Sequence, residues 1–458
     1  WLFGPDMGIY TEDDQGGALL AYCASTDEPI TLASSYAVAA ESARYVFHSA
    51  NPYASDRYDV IFVVNGVERG AMFDGSYLLP IQTGLLAQFE KPRHVAWAGN
   101  YLALGYATGS VSISDLGDPL VYVDAASLAA EIGAGDRITG LVKLKGDSLG
   151  VFTESTIFAI QGTDPSTGLA RVEISPSSGA IEYSVLNIGQ PVFLDFAGPA
   201  TLTTTDQYGD FSSGRLAEGA TPWFLQRLQL PTRNQTVDRT FVAGYVMRNK
   251  RQCRYVFKDG WQASLTFTPA DGVQVTTQRF YGAWDDRDAT AITVLACCYG
   301  TTSTGQDVAF MTFARDPSLS RYRYVFQIDN GRSFDSIEII AQWTSQPLQL
   351  GPPFYRKQLD QVGFHGRAYG HAQFKVFKGF DYTTPISDET TGASAAGTLY
   401  DFGVAGTTSA DEASYKSMHT LRGEGEDVTI LIESISASAL PHTIQNLVAR
   451  FTPEDPKA

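Results

Sequence analysis

The chain has 458 residues, with 33 Lys and Arg against 50 Asp and Glu, a formal charge of −17 and only 18% charged residues. That length supports a large core and two or three domains. The acidic balance speaks against a surface that wraps or scans DNA, which needs clustered cations to release counterions; it would suit a surface past which DNA slides without sticking, although acidity is also the common route to solubility. With 43 Gly, 23 Tyr and 26 Phe, the composition fits many short strands joined by tight turns and argues against coiled coil and disorder.

Trp1 opens the chain inside a strand-like run, WLFGPDMGIYT, which implies a trimmed sequence lacking an N-terminal part. Strand-like runs follow at 8–11, 19–24, 30–33, 45–48, 60–64 and 71–73, with a helical turn or two expected between Ala33 and Arg44. Asn65-Gly66, between VIFVV and VERGAMF, is the sharpest hairpin signal. From His94 to Gly162, apolar runs (95–97, 102–106, 111–113, 120–123, 138–144, 149–152, 157–160) alternate with Gly, Asp, Asn and Ser, the rhythm of a β-meander. One helix is expected inside it, Ala125 to Ile132, with Asp124 as N-cap and Gly133 after its end.

Beyond Gly162 the meander resumes. Thr221 to Asp238 reads as an extended connector, and RYRYVFQIDNGRSFDSIEIIAQW as a hairpin with Asp329-Asn330-Gly331 at its tip. Gly351-Pro352-Pro353 interrupts the pattern and suggests a boundary. The organisation expected is therefore a β region over 1–90, a β-propeller core over 91–350, and a C-terminal antiparallel β domain over 351–458, a sandwich with a long flexible loop at 383–414. Arg-Tyr-Val-Phe occurs at 44–47, 254–257 and 323–326, which favours repeated sheets. The fold class is all-β: a β-propeller-like meander with an additional antiparallel β-sandwich domain.

Motifs that carry chemistry are sparse. No GxSxG, HExxH or P-loop occurs, and no GxGxxG leads into a helix. Gly423-Glu424-Gly425-Glu426 carries acid where a phosphate would sit and reads as a turn with solvated carboxylates. The histidines are His48, His94, His365, His371, His419 and His442; His365 and His371 have no supporting carboxylate for a metal. Glu12-Asp13-Asp14, Asp285-Asp286-Arg287-Asp288 and Asp411-Glu412 read as solvated turns, with Asp285, Asp286 and Asp288 the best Ca²⁺ ligands of a weak set. Cys23, Cys253, Cys297 and Cys298 show no zinc spacing, and reduced thiols are the default. Asn234-Gln235-Thr236 fits a glycosylation sequon, of a kind chance often supplies. There is no apolar stretch near 18 residues, so no membrane helix or anchor is expected, and no signal peptide is visible.

Asp329-Asn330-Gly331-Arg332-Ser333-Phe334 resembles the Asp-box turn of sialidase-like propellers, Ser/Thr-x-Asp-x-Gly-x-Thr/Ser-Trp/Phe, but Gln327 occupies its first position. That box is itself a structural turn, remote from sialidase catalysis. The order of SISDLGDPLVYVD, GDRITGLVKLKGDSLGVFTESTIFAIQG, SGAIEYSVLNIGQPVFLDFAGPATLTTTDQYG, YVMRNKRQCRYVFKDG, DNGRSFDSIEI and GEGEDVTILIESISASALPHTIQNLVARF resembles the tail nozzle proteins of short-tailed phages, also called packaged-DNA stabilisation or tail hub proteins. The likeness spans about Trp97 to Phe451. It implies a virion tail protein assembled in the host cytoplasm: a propeller with added β domains, forming a hexameric ring below portal and adaptor. Such a ring lines the DNA channel, meets tail fibre or tailspike and needle or plug proteins, and passes packaged DNA without specific binding. It implies no enzyme activity, no catalytic residues, no cofactor and no metal, with a channel surface that is acidic or neutral. The alternatives are a propeller glycosidase and a receptor- or carbohydrate-binding β protein.

Overall fold

A computed structural model of the chain describes residues 9–12, 18–23, 28–33, 41–48, 57–67, 69–73, 78–81, 83, 91–99, 101–117, 119–120, 122, 130–162, 169–204, 211–228, 241–268, 272–280, 293–302, 304–314, 323–329, 333–334, 337–338, 342–349, 356–368, 373–381, 398–401, 413–434 and 442–453. It divides into two compact units, Trp1–Tyr281 with Arg287–Asp329, and Gly282–Asp286 with Asn330–Ala458.

The first unit is a succession of antiparallel meanders. β1 (Ile9–Glu12), β2 (Ala18–Cys23) and β3 (Glu28–Ala33) form a three-stranded sheet. Five four-stranded sheets follow, each in sequence order. They are β4 (Glu41–His48) to β7 (Leu78–Pro80) through β5 (Arg57–Val64) and β6 (Ala71–Phe73), and β8 (Pro92–Ala98) to β11 (Ala130–Gly133) through β9 (Tyr101–Tyr106) and β10 (Ser110–Ile113). Next come β12 (Ile138–Lys143), β13 (Leu149–Thr153), β14 (Ile157–Gln161) and β15 (Ala170–Ser175), then β16 (Leu186–Asn187), β17 (Pro191–Asp195), β18 (Gly198–Thr204) and β19 (Phe211–Arg215). The fifth holds β20 (Phe241–Met247), β21 (Gln252–Phe257), β22 (Trp261–Thr268) and β23 (Gly272–Arg279), and a three-stranded sheet of β24 (Thr293–Thr301), β25 (Asp307–Ala314) and β26 (Arg323–Ile328) ends the unit.

From β4 onward the first strand of each sheet packs on the first strand of the next: β4 on β8, β8 on β12, β12 on β16, β16 on β20 and β20 on β24. Sheets stacked face to face through successive first strands make a β-propeller-like architecture. Alternation along each strand explains why the runs look continuously apolar. In β9, Leu102 and Leu104 point to a core shared with Val60, Phe62 and Val64 of β5, while Tyr101 and Ala103 point to a core shared with Ile138, Val151 and Phe158 of the following sheet. Both faces are buried, so both carry hydrophobic residues. The same device joins Phe152 to Phe193, and Val192 to Tyr255 and Phe257.

In the second unit β27 (Ser333–Phe334) pairs with β28 (Ile337–Glu338). β29 (Gln342–Thr344), β34 (Val428–Ser434), β31 (Gln373–Phe380) and β32 (Thr398–Asp401) form one sheet; β33 (Ala413–Gly425), β30 (Lys357–Ala368) and β35 (His442–Pro453) form another. Leu359, Val362 and Phe364 of β30 share a core with Val376 of β31 and Val428, Ile430 and Ile432 of β34, which makes a β-sandwich.

The structure corrects several expectations. Residues 130–132, expected at the end of a helix, are strand: β11 pairs with β10, Val111 opposite Ile132, and residues 125–129 lie outside the described residues. A strand edge with free hydrogen-bonding groups outweighs the helix propensity of a few Ala and Leu. Conversely, Thr221–Arg227 is a helix, α1, not an extended connector; Pro222 sits in its first turn and Phe224 is fully buried against Gly198 and Phe257. Residues 41–44 are strand, the start of β4. Leu120 lies in a turn rather than a strand. Asp329 is not a hairpin tip: β26 pairs with β25, β27 pairs with β28, and the chain leaves the first unit at this point. The second unit accordingly starts at Asn330, ahead of Gly351-Pro352-Pro353, because β29 already pairs with β34. Within 383–414, β32 pairs with β31 and β33 begins at Ala413, so that stretch is not one loop; its remainder lies outside the described residues. The three Arg-Tyr-Val-Phe copies fall on a first, a second and a third strand of their sheets, so they do not mark equivalent blade positions.

Candidate functional site

Among the described residues the densest group of ionisable side chains lies in the first unit, along its first strands. Arg93 and His94 stand on β8, beside Pro92, where a register shift re-aims the strand. Gly105 is paired with His94 across β9, and a Cβ there would lie 3.2 Å from the His94 Cβ, so a small residue leaves room for the imidazole. His94 is fully buried, and its Nδ1 is 2.9 Å from Glu41 Oε2, on β4. Its Nε2 is 3.5 Å from Glu182 Oε1. The same Glu41 oxygen accepts from the Val95 backbone N–H at 3.3 Å.

Glu182 and Tyr183 come from the connection before β16, which is fixed by backbone bonds on every side. Ala180 N–H donates to Thr153 O, Ile181 N–H to Leu194 O, and Gly244 N–H to Tyr183 O. Tyr183 adopts a left-handed backbone, φ 63°, which turns its ring onto His94 at 5.4 Å between centroids. Gly179 lets the chain ahead of Glu182 pass against the Thr153–Glu154 backbone, because a Cβ there would clash with Glu154 O.

Glu182 receives Arg93 Nη2 at 3.0 Å and Arg137 Nη2 at 2.9 Å, and Arg93 Nε also lies against its other oxygen. Arg93 Nε donates to Tyr183 Oη at 3.2 Å. Arg137 Nη1 is 3.7 Å from Glu154. Three cationic groups therefore face Glu41, Glu182 and Glu154, drawn from four successive sheets and their connections. Burial opposes the charge on His94, but Glu41 and Glu182 outweigh it and push its pKa up to about 9. For Glu182 burial opposes ionisation, and His94, Arg93 and Arg137 more than compensate, so its carboxyl is held below the usual range. Burial and Glu182 push the Tyr183 phenol up to about 12.

Such an arrangement joins four successive sheets through ion pairs. The imidazole is closed off from solvent and held from both sides, so it is not free to shuttle a proton. A second ionic joint ties the β20–β23 sheet to the end of the β24–β26 sheet. Asp329, φ 59°, receives Lys250 Nζ at 2.7 Å and lies 2.7 Å from Arg254 Nη2; Arg254 also donates to Gln252 Oε1, and Tyr245 Oη donates to Gln262 Oε1. Burial opposes its ionisation, yet the two cations keep the Asp329 carboxyl below its ordinary value. The Asp-box resemblance thus falls on a residue engaged in a structural joint.

The other sequence candidates separate. His365 lies on β30, whereas His371, Asp285, Asp286, Asp288, Asp13, Asp14, Asp411 and Glu412 are outside the described residues. Among the described residues no group of three His, Cys, Asp or Glu could hold a metal, and Cys253, Cys297 and Cys298 are free. Glu424 and Glu426 are exposed, as a solvated turn requires, but Asp427 is buried. Gly423 and Gly425 serve packing: a Cβ at Gly423 would sit 2.2 Å from the Phe380 ring. No helix among the described residues is long and apolar enough to cross a membrane.

Sequence reasoning did not single out Glu41, Arg93, Arg137 or Glu182. They are spread over more than a hundred residues, and the one local signal is a histidine and an arginine opening an otherwise apolar strand, PRHVAWA.

No family model and no curated protein matches the chain. Solved structures to which it is similar include the β-propeller domain of Myceliophteria thermophila Cps50 (Swd1), at 10% identity and TM-score 0.36, covering 61% of this chain and 86% of that one. A streptogramin B lyase matches at 12% identity and TM-score 0.36, covering 68% and 92%. BBS1N in complex with ARL6DN matches at 10% identity and TM-score 0.37, covering 71% and 92%. The fold assignment rests on the sheet topology described above.

Proposed function

We propose that this β-propeller-like chain is a structural virion protein, a subunit of an oligomeric tail nozzle that continues the DNA channel below portal and adaptor, retains packaged DNA and conducts it at ejection. The observation that supports a structural role is the ionic cluster of His94, Arg93, Arg137 and their carboxylates. Its cations and carboxylates are spent on one another across four sheets, as stiffening demands, and its histidine is sealed. The order of strand motifs that resembles tail nozzle proteins supplies the particular role. Those motifs fall on β10 and β12 to β14, on β16 to β18, on β20 and β21, on β27 and β28, and on β33 to β35. In this reading the partners are further copies of the chain, most simply six in a ring, together with the adaptor and the fibre, tailspike, needle or plug proteins. The chain is not an enzyme, holds no cofactor, and resides in the virion tail. The sialidase-like alternative draws no support from Asp329, whose carboxylate is occupied by Lys250 and Arg254. Electron microscopy of the chain mixed with portal and adaptor tests the proposal. A coaxial ring is expected; release of sugar from cell-surface glycan, abolished by one carboxylate substitution, would replace it with the glycosidase reading.

A further inference from the structure

The outward face of the three-stranded sheet in the second unit differs from the rest of this acidic chain. Cross-strand register sets Met418 of β33 and Val448 of β35 on either side of Gly363 of β30. Residues paired in one row share a face. The alternate positions, Val362, Phe364 and Leu447, belong to the sandwich core, so the Met418–Gly363–Val448 row points away from it. Met418 is 43% and Val448 50% exposed, separated by a residue with no side chain.

The rows on either side are polar and basic. Gln361 pairs with Thr420 and Arg450, and His365 with Lys416 and Asn446. Residues 361–368, 413–421 and 442–450, the greater part of all three strands, contain no Asp or Glu, in a chain that has 50 of them. Acid returns at the ends, with Asp360 and Glu424 at one and Asp411-Glu412 directly before β33 in the chain at the other. β33 and β35 are also the two edges of this sheet. Long edge strands are places where another chain readily docks.

We propose that this face is a self-assembly surface that takes an acidic surface of a second copy of the chain. The argument for the occupant is charge. A body of net charge −17 offers acidic surface to a basic-rimmed apolar strip. The same strip facing its own twin would set Arg450 against its counterpart, so the contact is heterologous, and heterologous contacts build rings when the rotation closes. Nucleic acid is the less fitting partner. The centre of the face is apolar, and the overall charge repels phosphate at long range. The inference rests on the oligomeric reading above and adds to it the surface that would carry assembly.

The test is sedimentation of the full chain, wild type against Met418→Glu and Val448→Glu, at low and high salt. Both positions are half exposed, and an unchanged circular dichroism spectrum and melting temperature would show that each variant folds. The wild type is expected to form multimers that weaken as salt rises, and each variant to need at least tenfold higher concentration to associate. A monomeric wild type, or variants that assemble as the wild type does, would overturn the inference. So would nucleic acid co-sedimenting with the wild type and lost from the variants. If Val448→Glu still builds a coaxial ring with portal and adaptor, the surface is wrong and the nozzle reading stands. If the wild type assembles through this face but forms no such ring, the reverse holds.

Discussion

Replacing His94 by Gln removes the buried imidazole at the centre of the ionic cluster while keeping a side chain of similar reach. The folded protein holds His94 charged up to about 9, against an ordinary value of 6.5. The native state therefore binds a proton that the unfolded chain releases, and stability falls as pH rises between those values. The difference is worth on the order of 3 kcal/mol, fully present below about pH 6.5 and lost as pH passes about 9. Tyr183, pushed up to about 12, and Arg93, whose pKa the cluster raises, keep their charge state across that window in the folded protein. Cys253, pushed up to about 12 by burial, stays protonated when folded while its unfolded thiol titrates, which adds a loss of stability near pH 8.5. That loss is common to wild type and variant, so the difference between them isolates His94. Urea unfolding followed by tryptophan fluorescence at pH 6 to 10 is the assay. The wild type should exceed His94→Gln by roughly 3 kcal/mol at pH 6, and the gap should close by pH 10. Parallel pH profiles would refute the charged-histidine joint.

Asp329→Ala leaves Arg254, whose side chain is 6% exposed, without its carboxylate, and should cost about 3–5 kcal/mol in urea unfolding. Because the Asp329 carboxyl is held below its ordinary value, its contribution is present above that value and should fade as pH drops through the folded one, a fade absent from the variant. Gly179→Ala forces a Cβ against Glu154 O at 2.2 Å; overpacking of about 1–3 kcal/mol or more should lower the melting temperature by several degrees. Arg227 lies over Trp223 at 4.3 Å and Trp261 at 4.7 Å, so Arg227→Ala should change tryptophan emission and cost about 1–2 kcal/mol.

The strand rhythm of the first unit was legible because strands such as β9, β10, β13 and β14 are buried on both faces. Val111–Ile113 and Ile157–Ile160 could scarcely read otherwise, and Gly99, Gly109 and Gly146, all at positive φ, mark the turns between strands. Asn65-Gly66 does open the hairpin from β5 to β6, with Asn65 Oδ1 accepting from Val67 N–H, although the loop is wider than two residues. Short elements were lost where local propensity and tertiary demand diverge. AEIG is helix-prone by composition yet completes a sheet, and TPWFLQR is too short for its period to show. The ionic cluster was illegible for a different reason. Glu41, His94, Arg137 and Glu182 meet only because successive first strands stack, and no spacing in the sequence encodes that meeting.

The most direct test of the account is an electron-microscopy reconstruction of the chain in its assembly with portal and adaptor. A closed ring of copies, coaxial with the channel and with an acidic or neutral lumen, is the expected result. A monomeric chain bound off the axis, or a lumen continuously lined by Lys and Arg, would contradict it.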